Sequence, residues 1–207
     1  MSQVTMASPQ ASPPKGWQQR IRESRLGTVL VLAVTAAIVT GGAYLVDRPT
    51  AAKAGLSAVD VGPGDGPAPK LGSPAHDFTA TTADGKTVSL SSYKGQAVWL
   101  TFGASWCAAC QAEAPDIEAT YEKFKAQGVV VLAVSISEDS ATVLDYGRRI
   151  GLTYPQVADP ETAIASAYRV NGIPAHFFID KSGILRSEKT GGLSLEQMDV
   201  ALREISR

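Results

Sequence analysis

The chain has two cysteines, Cys107 and Cys110, in the run Ser105-Trp106-Cys107-Ala108-Ala109-Cys110. A pair three positions apart closes no long loop, so it is chemical rather than architectural. Two thiols at this spacing suit disulfide exchange or the binding of a soft metal. A structural zinc site wants about four ligands. The remaining candidates, His76 and His176, lie a hundred residues apart and fit no finger spacing. Covalent haem attachment needs a histidine directly after the second cysteine, and here that residue is Gln111. No metal and no cofactor is expected.

The flanking sequence says what positions the thiols. Ala97 to Phe102 is mostly apolar and of buried-strand length, and Ala108 to Gln127 carries Ala114, Ile117, Tyr121 and Phe124 at helical spacing before Gly128. The pair therefore sits where a strand becomes a helix. Cysteines three apart across a first helical turn can meet the Cα separation of a disulfide, roughly 4.4–6.8 Å. The first falls at the helix N-terminus, where free N–H groups and the helix dipole favour a thiolate. The second falls inside the turn and is expected to be less exposed. Cys107 is thus the expected nucleophile and Cys110 the resolving thiol.

Two alternating runs around Asp84-Gly85 predict a hairpin, residues 77–82 with 87–90. Further on, the pattern predicts a strand over 129–134 and helices over 140–150 and 161–168. A hairpin of strands 175–179 and 184–190 follows, then a helix over 195–205 capped by Ser194 with Gln197. The order ββ, βαβ, α, α, ββ, α is that of an α/β domain. It has three layers, a central mixed sheet with helices on both faces.

Trp106-Cys107-x-x-Cys110, then Glu113 and Pro115, then Gly172-Ile173-Pro174 before the strand Phe177-Phe178-Ile179-Asp180, resembles the TlpA/ResA-like branch of the thioredoxin superfamily. The resemblance runs from Leu71 onward, about two-thirds of the chain. It implies the thioredoxin-like fold and an anchored, extracytoplasmic thiol–disulfide oxidoreductase. It makes Pro174 the cis-proline facing the thiols. It gives the backbone of Ile173 and the rim formed by Trp106 to substrate binding. It makes Glu113, three residues after Cys110, the acid that relays a proton to and from that thiol.

The chain departs from the pattern in places. Thr101 stands where cytoplasmic thioredoxins carry a buried aspartate, leaving Glu113 as the nearby acid. Ala109 replaces the usual proline before the second cysteine, which leaves the potential open. Gly103 replaces a common aromatic and opens a gap beside the site. His176 stands where a small polar residue is usual; it is expected to be a strand residue with no redox role, the alternative being a place near the active site where it tunes the thiolate charge; His76 is expected to be solvated.

The N-terminal part sets the compartment. Leu26 to Val46 is 21 uncharged residues, preceded by Lys15, Arg20, Arg22 and Arg25 against one Glu23. At roughly 1.5 Å per residue a helix of that length matches a hydrocarbon core of about 30 Å, and the basic flank stays cytoplasmic. The alternatives are a cleaved signal peptide, for which Ala52-Lys53-Ala54 has the right form, and a buried core helix. The expected organisation is a cytoplasmic tail over 1–25, a transmembrane anchor over 26–46, an Ala/Gly/Pro-rich linker over 47–71 and a catalytic domain over 72–207. A net charge of −1 leaves no basic footprint for nucleic acid.

The expected activity is reduction of disulfides in extracytoplasmic partner proteins, such as apocytochrome c before haem attachment, with electrons from a membrane donor. Two other readings are a Cu(I)-binding module and a thiol peroxidase. Copper relatives space their cysteines by three residues and add a histidine, whereas the spacing here is two. Thiol peroxidases have threonine three residues before the reactive cysteine, and here that residue is Ala104.

Overall fold

The computed structural model describes residues 25–46, 55–64 and 66–207. The chain divides into two units, Met1–Arg48 and Pro49–Arg207. Residues 1–24 of the tail expected over 1–25, and residues 47–54 and 65 of the expected linker, lie outside the described residues.

In the first unit, Arg25–Val46 forms one helix, α1. Thr35 takes up its hydroxyl by donating to the Val31 carbonyl one turn back, at 2.8 Å. Side chains are described over 27–39, and Val29, Leu30, Leu32 and Ile38 among them are exposed. Over the described residues no helix is long and apolar enough to cross a membrane.

The second unit is built on strand β4, Ala97–Gly103, in which every residue but the last is buried. Beside it runs β5, Val129–Ile136, parallel and in register from Ala97 opposite Val129 to Gly103 opposite Ser135. On its other side lies β8, Ala175–Ile179, antiparallel, and then β9, Leu185–Thr190. A fifth strand, β6 (Gln156–Asp159), pairs parallel with β5, giving the order β6-β5-β4-β8-β9. The hairpin β2–β3, Thr79–Thr81 with Thr87–Ser89, forms its own small sheet.

The helices are bounded by local chemistry. Helix α2, Ala108–Phe124, starts where β4 ends. Helix α3, Ser140–Ile150, begins under the Asp139 carboxylate, which accepts the Thr142 N–H at 2.8 Å, and stops at Gly151 in the left-handed region. Helix α5, Leu195–Ile205, opens with a complete capping box between Ser194 and Gln197. The short α4, Ala163–Ala167, is held by Asp159, whose oxygens accept the N–H groups of Ile164 and Ala165 at 3.2 and 2.9 Å.

Alternation along the strands sorts the core into two clusters. Val98, Leu100, Phe102, Leu132, Phe177 and Tyr168 pack on one face of the sheet. Trp99, Val131, Phe178, Phe124, Met198 and Leu202 pack on the other, under α2 and α5. Each fully buried large side chain stabilises the fold by about 1.5–3 kcal/mol.

The structure departs from the sequence expectation in three places. Strand β6 was not foreseen, because Gln-Val-Ala-Asp has a single large apolar residue and follows Pro155. The helix expected over 161–168 shrinks to α4, because Thr162 takes φ +55° and starts it late. The segment expected to be linker up to residue 71 carries strand β1, Ser57–Ala58, antiparallel to β7, Gly172–Ile173. The physical reason lies in its few apolar residues. Val61 is buried, Val59 packs on the same cluster, and Leu56 lies on Gly172, where a Cβ would meet its side chain at 3.0 Å. The Val59 N–H donates to Asn171 O at 3.2 Å, and Arg169 Nη2 donates to Gly66 O at 2.6 Å.

Candidate active site

The run from β4 into α2 makes Cys107 the N-cap of the helix. Its sulfur accepts the Cys110 N–H at 3.2 Å. The two cysteines are joined in a disulfide, with Cα atoms 5.2 Å apart. That N–H and the helix dipole favour negative charge on the Cys107 sulfur once the bond opens.

Facing the pair is the turn between β7 and β8. The Ile173–Pro174 peptide bond is cis, and the Ile173 carbonyl lies 3.9 Å from Cys107 Sγ. The Pro174 carbonyl accepts the Gly191 N–H at 2.8 Å, which ties the turn to the end of β9. Trp106 is half exposed. Ile173 is fully buried, and its backbone is opposed by Ser57 of β1.

The relative exposure of the thiols is the reverse of the sequence expectation. Cys107 is fully buried, whereas Cys110 retains 8% of its surface. The Cys107 sulfur is turned under the proline loop, in the same apolar cluster as Ile173, Ala104 and Val61. Cys110 instead borders a small cavity of about 50 Å³ lined also by Gly103, Glu113, Thr101, Tyr146 and Tyr154. Gly103 leaves room there: a Cβ on it would stand 3.4 Å from both Cβ and Sγ of Cys110.

Glu113 reaches the same cavity from the face of α2 and is buried. One of its oxygens, Oε2, accepts the Leu193 N–H at 3.1 Å. The other, Oε1, lies 3.4 Å from Nε2 of His176. Of the two readings of His176, the structure agrees with the one that puts it near the site. It is fully buried, and its place two residues beyond Pro174 turns it to the sheet face that carries Trp99, Thr101 and α2. His76 lies apart from the thiols, its carbonyl accepting from the Tyr168 hydroxyl at 2.6 Å.

One supporting residue escaped sequence reasoning. Glu138, buried after β5, accepts the Ser105 N–H at 3.0 Å and also the Ser105 hydroxyl. The Ser105 carbonyl in turn accepts from the Gln111 amide. Together these fix the turn that carries Trp106 and Cys107. A glutamate beside Asp139 reads as solvated loop, so no local pattern could have found it. Among the described residues no three His, Cys, Asp or Glu side chains come together to hold a metal.

The disulfide at a strand-to-helix turn faces a cis-proline loop over a mixed sheet, and that fold is shared with known proteins. Residues 71–188 match the model of the AhpC/TSA family. The thiol-disulfide oxidoreductase ResA of Geobacillus kaustophilus is 37% identical over 135 residues, 65% of this chain and 78% of the relative. A thiol:disulfide interchange protein of the thioredoxin family from Chlorobium tepidum superposes with a TM-score of 0.61 at 28% identity, over 68% of this chain and all of that one. StoA from Bacillus subtilis superposes with a TM-score of 0.54 at 27% identity, over 63% of this chain and 98% of its own. Sequence and architecture agree with the chemistry of the paired sulfurs: the chain belongs to the ResA/TlpA-like thiol–disulfide oxidoreductases of the thioredoxin superfamily.

Proposed function

We propose that this protein is a membrane-anchored reductase of disulfides in extracytoplasmic proteins, with cytochrome c maturation as one setting. The observation that carries the reading is the position of Cys107: N-cap of α2, donor from Cys110 N–H, sulfur facing the Ile173 carbonyl. Cys107 is the nucleophile. As a thiolate it attacks a partner disulfide and forms a mixed disulfide. Cys110 is the resolving thiol, and its attack on the Cys107 sulfur frees the partner in reduced form. Glu113 takes the proton that Cys110 sheds. Ile173 and Pro174 present a backbone edge to an extended partner segment, a small case of strand addition, and Trp106 is the apolar surface it docks against.

Support for the compartment comes from the apolar run 26–46 behind a basic flank. In this reading the second unit is extracytoplasmic and the N-terminus cytoplasmic. Electrons that keep the dithiol reduced come from a membrane donor. The name of the Geobacillus relative, a thiol-disulfide oxidoreductase, fits the same chemistry.

The test is a Cys110→Ser full-length chain expressed in cells, with mixed disulfides isolated from the membrane fraction. The reading expects trapped partners that are extracytoplasmic proteins bearing disulfides or paired thiols. Cytoplasmic partners would contradict the compartment, and an absence of any trapped partner would contradict the role of Cys110.

A further inference from the structure

We propose that His176 is a positioning residue for the exchange reaction: through Nε2–H it holds the Glu113 carboxylate in place beside Cys110. This rests on the exchange reading above and adds a residue to it. His176 is fully buried on β8, directly opposite Thr101 of β4. Its Nδ1 lies 3.3 Å from Trp99 Nε1 and 3.0 Å from Thr101 Oγ1. An indole nitrogen can only donate, so Nδ1 is the acceptor and the proton of the neutral ring sits on Nε2. That Nε2 makes no hydrogen bond in the disulfide form, and Glu113 Oε1 stands 3.4 Å from it.

Leu193 N–H donates to one carboxylate oxygen of Glu113, and a small shift lets His176 Nε2–H donate to the other, 3.4 Å away. A buried carboxylate without such donors is costly, and a long side chain without them has rotamers to choose from. Here it lies in the wall of the cavity that Cys110 also lines. The other titratable groups around this pair are accounted for. Tyr146 of α3 and Tyr154, which precedes β6, line the same cavity, and burial pushes both phenols up, so they stay neutral. Lys189 of β9 lies opposite His176 in register but is exposed. Cys107 and Cys110 on α2 are the remaining groups.

The step it serves balances as follows. In the mixed disulfide, the Cys110 thiol gives its proton to the Glu113 carboxylate. The electron pair left on Cys110 Sγ forms the bond to Cys107 Sγ. The bond from Cys107 to the partner sulfur breaks, and the partner leaves as a thiolate. Over this step and the first attack together, the cysteine pair is oxidised by two electrons and the partner disulfide is reduced by two. His176 neither gains nor loses a proton in this step; it aims the group that does.

The reduced full-length protein is mixed with 5,5′-dithiobis(2-nitrobenzoate) in a stopped-flow instrument. The first coloured thiolate released reports attack by Cys107, and the second reports resolution by Cys110. His176→Asn keeps a polar group toward Trp99 and Thr101 but withdraws the donor from Glu113, whereas His176→Gln carries an amide donor to the Nε2 position. The expected result is that H176N slows the second release by about tenfold, changes its pH profile and leaves the first release unchanged. H176Q restores the second release to within about threefold. A second release with wild-type rate and pH profile in H176N overturns the proposal. So does H176Q behaving like H176N, or both variants slowing both releases in step with a lowered Tm. Failure of the unaltered protein to give a second release overturns the exchange reading itself, a different result.

Discussion

Ser57 lies directly opposite Ile173 in an antiparallel pair, on the backbone whose carbonyl faces the Cys107 sulfur at 3.9 Å. The neighbouring Val59–Asn171 bond fixes the ladder, and the two-residue alternation makes Ser57–Ile173 a hydrogen-bonded pair of the same kind. The edge proposed to receive a partner's extended segment is thus held by the protein's own chain. In that reading docking requires β1, a strand of two residues, to be displaced.

Ser57→Pro removes the N–H that this pairing needs. It is expected to speed reduction of a disulfide-bearing protein such as insulin severalfold, while reaction with a small aromatic disulfide changes by less than about twofold. Parallel turnover assays on the two substrates check this. Equal acceleration of both, or of neither, would show that β1 does not compete with the partner.

The division of labour between the thiols predicts unequal variants. Cys107→Ser should abolish reaction with a protein disulfide, whereas Cys110→Ser should still form the mixed disulfide but fail to release it. Mass spectrometry of the two variants after exposure to an oxidised peptide distinguishes them, an adduct being expected on Cys110→Ser alone.

Glu138→Ala leaves the Ser105 N–H without its buried acceptor. The expected cost is about 1–3 kcal/mol in denaturant unfolding. Because Ser105 begins the turn that carries Cys107, the rate of the first exchange step should fall as well. A stability loss without any change in that rate would mean that the turn is held by its other contacts.

Leu202→Ala is the matching control. Leu202 is fully buried on the inner face of α5, in the cluster with Trp99, Phe124 and Met198. Truncation should cost about 2–5 kcal/mol and lower the Tm, yet leave both exchange steps within about twofold.

Much of this molecule was legible in its residues because periodicity and punctuation agree. Gly151 ends α3 and the Ser194/Gln197 box begins α5 where the sequence places them. The strand-to-helix position of Cys107 was legible for the same reason: an apolar run changes to helical spacing there. Strand β6 was not, because one valine between polar residues gives no period, and it pairs only because β5 offers an edge. β1 was hidden in an Ala/Gly/Pro-rich stretch, and its register depends on Gly172, more than a hundred residues away. His176 and Glu138 were misread or missed for one reason. Their roles are set by what lies across a strand or beyond a loop, and a polar residue carries no mark of its distant partner.

The central claim, that this dithiol works as a reductase, is tested most directly by the reduction potential of the full-length protein, titrated in thiol–disulfide buffers with the Cys107–Cys110 state read by alkylation. The account predicts a reversible two-electron couple at about −230 mV or below, in the range of thioredoxin-like reductants. A midpoint at about −120 to −180 mV, where oxidases and isomerases lie, would contradict it.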